Sequence, residues 1–151
     1  MREAVIVSTA RTGIGRAFRG ALNATKSPSL AGFALARAAE RAGLEGDEID
    51  EVVLGTVLAA GTAGMNLGRH AALAAGFPVG VSAQTVDRQC ASGLTAIATA
   101  AHQIVCDGMQ IVLAGGQENI SAVQARYFEW ASAEVDPAVI ARAPAAYMPM
   151  L

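Results

Sequence analysis

Ser82-Ala83-Gln84-Thr85-Val86-Asp87-Arg88-Gln89-Cys90-Ala91-Ser92-Gly93-Leu94 joins a short strand pattern, Ser82 to Val86, to an alanine-rich helix pattern through a polar turn. The helix pattern runs from Cys90 to about Cys106 and stops at Asp107-Gly108, a helix terminator. Downstream, Met109 to Ala114 reads as a further strand ending at Gly115-Gly116. Upstream, Val52 to Leu58 reads as a strand, and Gly61, Gly64 and Gly68 mark a loop that enters a helix from about Asn66 to Ala75. Ser27 as N-cap, Pro28 at the first helical position and Gly43 as terminator delimit another helix. Its Leu30, Ala31, Ala34, Leu35, Ala38 and Ala42 share one face, with Arg37, Glu40 and Arg41 opposite. The β-branched run Ala4 to Ala10 reads as the first strand. Strands alternating with helices predict an α/β fold: a mostly parallel, mixed sheet with helices on both faces. Glu45 to Glu51 reads as a solvated acidic connector. Ser121 to Leu151 lacks a clear period and reads as a separate excursion.

Composition narrows the function classes. The 151 residues are 53% hydrophobic and 16% charged, which excludes intrinsic disorder. A formal charge of −2 gives no footprint for nucleic acid and no basic face for a membrane surface. No apolar run reaches the roughly 18 residues of a membrane span, and the N-terminus lacks a signal-peptide pattern. Two cysteines make no disulfide framework. These features together predict a cytoplasmic protein.

Cys90 is the candidate nucleophile. A thiol at the start of a helix sits at the positive end of the macrodipole, near unpaired N–H groups. Both favour thiolate over an ordinary thiol of pKa about 8.5, and the same N–H groups suit a developing oxyanion. Gly93 lets another segment approach the first turn. Cys106 is the contrast, at the opposite end of the predicted helix and about 24 Å from Cys90 along it, so it reads as structural and not as a redox partner. His70 and His102 have no partners at metal-ligand spacing, which excludes a zinc site on this pattern. His102 lies about 18 Å along the helix from Cys90, too far to act as its base. Gly13 and Gly15 follow a strand pattern, but Phe18 stands where a third glycine of a dinucleotide fingerprint belongs. Arg11, Arg16 and Arg19 form a basic cluster that could meet an anionic group, and Arg126 to Trp130 reads as an intrachain or subunit contact.

Five ordered pieces resemble the N-terminal half of thiolases, the CoA-dependent acyltransferases that make or cleave 3-oxoacyl-CoA. They are Val5 to Thr12 with Ile14-Gly15, Val53-Leu54-Gly55, Asn66-Leu67-Gly68-Arg69, Asp87 to Leu94, and Ala114 to Ser121. The resemblance implies a thiolase-like α/β half over residues 1–120 and the start of a loop or oligomerisation excursion over 121–151. It implies that Cys90 is the acylated nucleophile, with acyl-CoA and CoA as substrates, no permanently bound cofactor and no metal. It also implies a homodimer or homotetramer in the complete enzyme, and a role in fatty-acid metabolism such as β-oxidation. Arg88-Gln89 is more similar to the degradative members, and Asp87 stands where many members carry Asn.

The family's Gly-His-Pro, Cys-x-Gly-Gly and Asn-Glu-Ala-Phe motifs have no counterpart among these residues. Tyr147 to Met150 resembles the segment before a later family motif, so the resemblance casts the chain as an incomplete N-terminal portion, inactive alone. An isolated half exposes an apolar face and is expected to self-associate. Two alternatives stand beside this one: a non-catalytic half that assembles with a C-terminal half or a full-length thiolase, and another condensing enzyme of the superfamily.

Overall fold

The structure, a computed structural model, describes residues 2–142 and 144. Among them, three strands form one parallel sheet in the order β2-β1-β3: β1 Glu51–Gly55, β2 Ser82–Val86 and β3 Val112–Gly116. The ladder pairs Glu51 with Ser82 and Val112, and Gly55 with Val86 and Gly116, so all three carboxyl ends stop level. The helices are α1 Ser27–Ala42, α2 Leu67–Ala74, α3 Ser92–His102, α4 Ile120–Glu134 and α5 Pro137–Arg142. The crossover through α2 carries the chain from β1 to one side, and the crossover through α3 carries it back past β1 to the other. Because both are right-handed, reversing direction places α2 and α3 on opposite faces.

Strand alternation then builds two cores. Val52, Leu54 and Leu113 face α1 and α2, where Leu35, Leu67 and Ala71 close a large cluster. Val53 points the other way, against Ala96 and Ala100 of α3. Every residue of β1 is buried, as expected of a central parallel strand covered on both faces. The alanine-rich composition has its use here: Gly32 of α1 sits so close to the α2 backbone that a Cβ there would lie 2.9 Å from Ala71 O.

Helix α1 buries Ala31 and Leu35 of the expected face, together with Gly32 and Ala39, while Leu30, Ala34, Ala38 and Ala42 are half-buried; Gly43 ends it at φ 69° with its N–H on Glu40 O. Ser27, however, is the first helical residue and not the cap; Lys26 holds that place, and the buried Ser27 hydroxyl accepts from Thr62 Oγ1 instead. Asn66 caps α2 as expected, accepting from Arg69 N–H at 3.2 Å. The helix after the Cys90 turn begins at Ser92 and not at Cys90, and beyond His102 it widens into a π turn, Gln103–Asp107. The last strand is displaced toward the C-terminus: it begins at Val112 and not at Met109, and it includes Gly115 and Gly116, which pair in the ladder.

Two expectations fail. Ala4 to Ala10 is extended but pairs with nothing, and Val5, Ile6 and Val7 are each at least 70% exposed. A β-branched run becomes a strand only where an edge meets it. Here a groove of about 1370 Å³ separates the segment from the free edge of β3, walled by Leu35 and Ala38 of α1 and Ile97 of α3. The segment is held instead at its ends, by Arg2 Nη1 on Gly108 O at 2.7 Å and Arg41 Nη1 on Thr9 O at 2.6 Å. The sheet is accordingly parallel among the described residues, not mixed. The acidic connector is also only partly solvated. Gly46–Glu48 forms a 3₁₀ turn closed by a capping box, but the Asp50 carboxylate accepts from the N–H groups of Gln110 and Ile111. Glu51, 9% exposed, accepts from Ser82 Oγ and Gln84 Nε2.

After Ser121 the described residues lie mostly in α4 and α5, with Val123 of α4 buried at 2% exposure and Tyr127 packed against the main core. Tyr127 meets Phe128 edge-on at 5.8 Å, so this part of the Arg126–Trp130 patch makes an intrachain contact. The Trp130 side chain and Tyr147 to Met150 lie outside the described residues.

Hydrogen exchange followed by mass spectrometry checks the pairing pattern. Amides of residues 4–10 should exchange within seconds, while those of Val52 to Leu54 should be the slowest in the protein. Equal protection of the two segments would contradict the unpaired first segment.

Candidate active site

The carboxyl ends of the three strands form the floor of the site. The ladder extends by one bond beyond each flank, with Thr56 N–H on Val86 O (3.1 Å) and Gln117 N–H on Gly55 O (2.9 Å). Over this floor the chain leaves β2 through Asp87 to Ala91 and enters α3. Asp87 Oδ1 accepts from Gln89 N–H at 2.8 Å, an Asx turn. The amide oxygen of an Asn would accept the same bond, so the acid found here leaves this turn intact. Gln89 then takes φ 52°, the left-handed region, which a residue bearing Cβ adopts at a cost of about 1 kcal/mol or more. Cys90 follows at the apex, exposed and with its thiol free.

The turn is seated on the sheet by glycines. A Cβ on Gly55 would lie 2.4 Å from the Ser92 carbonyl carbon, and a Cβ on Gly116 would lie 3.1 Å from Gly93 Cα. The first turn of α3 therefore rests main chain on main chain across β1 and β3. The glycines that this approach requires are Gly55 and Gly116 and not Gly93, where a Cβ would lie an ordinary 3.6 Å from Gly116 Cα.

Glu118 is a second organiser. Its carboxylate accepts from Val57 N–H (2.9 Å), Leu58 N–H (3.0 Å) and Thr56 Oγ1 (3.3 Å), tying the loop after β1 to the loop after β3. Asn119, 6% exposed, donates to Thr25 O at 2.8 Å, and Ser121 Oγ accepts from Phe18 N–H at 2.8 Å. The segment Ala114 to Ser121 thus anchors the glycine-rich N-terminal loop to the strand ends. Reading the chain locally misses Gly55, Gly116, Glu118 and Asn119, because each acts on a residue distant in sequence.

The other candidates lie apart from the turn. Cys106 is free and exposed in the π turn beyond α3. His102 is the last residue of α3, and His70 is half-buried on α2. Arg11, Arg16 and Arg19 are exposed on the N-terminal loop. Among the described residues no group of three or more His, Cys, Asp or Glu side chains could hold a metal ion, and no helix is long and apolar enough to cross a membrane.

A parallel sheet covered by helices on both faces, with a strand–turn–helix carrying a free thiol at its carboxyl edge, defines a class, the α/β folds with a site at the strand ends. Comparison with known proteins makes the assignment specific. The family model for the thiolase N-terminal domain matches residues 4–137, and the chain belongs to the thiolase family. It is 44% identical over 121 residues to the acetyl-CoA acetyltransferase of Pseudomonas aeruginosa, covering 80% of this chain and 30% of that one. It is 42% identical over 123 residues to the mitochondrial acetyl-CoA acetyltransferase of Xenopus tropicalis, covering 82% and 29%. The crystal structure of the Bacillus anthracis acetyl-CoA acetyltransferase superposes with a TM-score of 0.76 at 43% identity, over 82% of this chain and 31% of that one. The chain spans about 30% of the length of the curated relatives it matches.

The glycine seat can be tested directly. Gly55→Ala should displace the first turn of α3 and destabilise the protein by about 3 kcal/mol, as overpacking against rigid backbone does. The measurement is the shift of the urea midpoint at unchanged slope. Gly80→Ala, at a position where an added Cβ meets nothing within 4 Å, should shift the midpoint far less.

Proposed function

We propose that this chain carries the nucleophile half of a thiolase-type acyltransferase, with Cys90 as the residue that is acylated. In the first half-reaction the Cys90 sulfur attacks the thioester carbonyl of an acyl-CoA, or the ketone carbon of a 3-oxoacyl-CoA. A new carbon–sulfur bond forms. The leaving CoA thiolate or acetyl-CoA carbanion takes up a proton, and the acyl group remains on Cys90 as a thioester. In the second half-reaction CoA or the acetyl-CoA carbanion displaces the enzyme sulfur. Exchanging one thioester for another changes little in free energy, so the acyl group passes between CoA and Cys90 without an energy source; the carbon–carbon bond made or broken in the 3-oxoacyl-CoA sets the balance of the whole reaction.

The observation that carries this reading is the exposure of the Cys90 thiol at the apex of a turn whose preceding residue is left-handed. Strain of this kind persists where the surrounding structure over-determines it, typically at functional turns. The relatives' names support acetyl as the acyl group to try first. Residues 1–120 form the nucleophile domain in this reading, and 121–151 begin the excursion. A cytoplasmic setting suits two exposed free thiols, and assembly into a homodimer or homotetramer belongs to the complete enzyme.

Incubation with acetyl-CoA followed by peptide mass spectrometry should add one acetyl group to the Cys90 peptide, and Cys90→Ser should abolish it. Labelling that survives the substitution, or that falls on Cys106, contradicts the assignment. Steady-state thiolysis by the 151 residues alone should be on the order of 10⁴-fold below that of the full-length relatives, the loss typical of a missing general base, since neither His70 nor His102 stands in a Gly-His-Pro motif. Turnover comparable with theirs would show that the base lies within this chain.

A further inference from the structure

Ser92 is 4% exposed and is the first residue of α3. A serine at a helix start usually turns its hydroxyl onto the helix's own N–H groups. This one does not: the helix has Ala91 at its cap position and no side-chain cap bond. The Ser92 hydroxyl points back into the turn. It accepts from Arg88 N–H at 2.8 Å and donates to Gln89 C=O at 2.6 Å, with Asp87 Oδ1 3.4 Å away. The two close bonds bracket Gln89, the residue at φ 52°. The second lands on the peptide unit that leads into Cys90. Meanwhile the main chain of Ser92 is pinned by Gly55 beneath it, with no room for a methyl group. One hydroxyl therefore links a fixed point on the sheet to the strained turn that carries the thiol.

We propose that Ser92 is the positioning residue of this turn. Its buried hydroxyl holds the Asp87–Arg88 and Gln89–Cys90 peptide units, which enclose Arg88 and Gln89, and so sets the presentation and reactivity of the Cys90 thiol; the inference rests on Cys90 being the nucleophile. Without the hydroxyl, Arg88 N–H and Gln89 C=O each lose a partner, and Gln89 can return to a negative φ, which swings Cys90 off the strand ends.

The chain supplies its own reference, since Cys106 is also free and exposed but lies outside the turn. Alkylation of the purified protein by iodoacetamide, followed by peptide mass spectrometry, gives a rate for each cysteine. Two pairs of variants separate the hydroxyl from the shape of the side chain: Ser92→Ala against wild type, and Ser92→Val against Ser92→Thr, which are isosteric apart from the hydroxyl. Cys90 should react about tenfold more slowly in Ser92→Ala and Ser92→Val, the effect of a lost hydrogen bond. Ser92→Thr should stay near the wild-type rate, and Cys106 should be unchanged throughout. Either hydroxyl-less variant alkylating Cys90 at the wild-type rate overturns the proposal. So does a change in Cys106 that matches the change in Cys90, because the hydroxyl would then merely hold the domain together. The two readings fail separately. If wild-type Cys90 is no faster than Cys106, the nucleophile assignment fails. If it is faster but indifferent to Ser92, only the positioning role fails.

Discussion

Gly55 and Gly116 allow helix α3 to approach the sheet until main chain touches main chain, with a would-be Gly55 Cβ only 2.4 Å from the Ser92 carbonyl carbon. Side-chain packing has soft degrees of freedom, because rotamers adjust and methyl groups shift. Backbone against backbone has almost none. Other features inherit this stiffness. The level carboxyl ends of β1, β2 and β3 give the seat its floor, and Val53 with Ala96 and Ala100 holds the helix down behind it. The Glu118 carboxylate fastens the flanking loop through Thr56, Val57 and Leu58. The placement of Ser92, the fixed point from which the Cys90 turn is held, is thus a property of the sheet itself.

Much of the architecture was legible in the residues because local signals agreed with the tertiary demand. Ser82 to Val86 has strand chemistry, turn chemistry after it and a central strand to meet, and it folds as read. Asn66 has the side chain a helix start needs and sits where the helix starts. Ala4 to Ala10 has the same β-branched character, but no edge reaches it, and intrinsic preference cannot replace ladder hydrogen bonds. The misplacement of β3 has a different cause. Gly115 and Gly116 look like terminators in isolation, yet both pair in the ladder, and at Gly116 the closeness of Gly93 leaves little room for a side chain. The acidic connector misleads for a related reason. Charge alone suggests solvent, but Asp50 and Glu51 face N–H, hydroxyl and amide donors brought from β2 and the approach to β3.

The candidate site divides in the same way. Cys90 stands out because a strand, a polar turn and a helix follow one another within thirteen residues, and that order places a thiol over the strand ends. The exact helix start was not legible: the turn borrows Cys90 and Ala91 and leaves Ser92 to begin α3. The groups that hold the turn were legible least: Gly55 and Glu118 lie in pieces that resemble the family, but they act across long separations in the chain, and the pieces alone do not say on what. Ser92 is close in sequence, but nothing local says that its hydroxyl faces backward.

The topology bears on how such a half is assembled in time. β1 is the hub of the sheet, and neither of its neighbours is nearby: Glu51 and Ser82 are 31 residues apart, and Asp50 and Ile111 are 61 apart. No hairpin can seed this sheet, so loop closure must precede any ladder gain, the signature of slow folding. During synthesis from the N-terminus, β1 leaves the ribosome well before β3 exists. This strand, buried throughout in the finished fold, must wait, covered on one side only by α1 and α2, until α3 has been made. That interval is when chaperone capture would matter most for this chain.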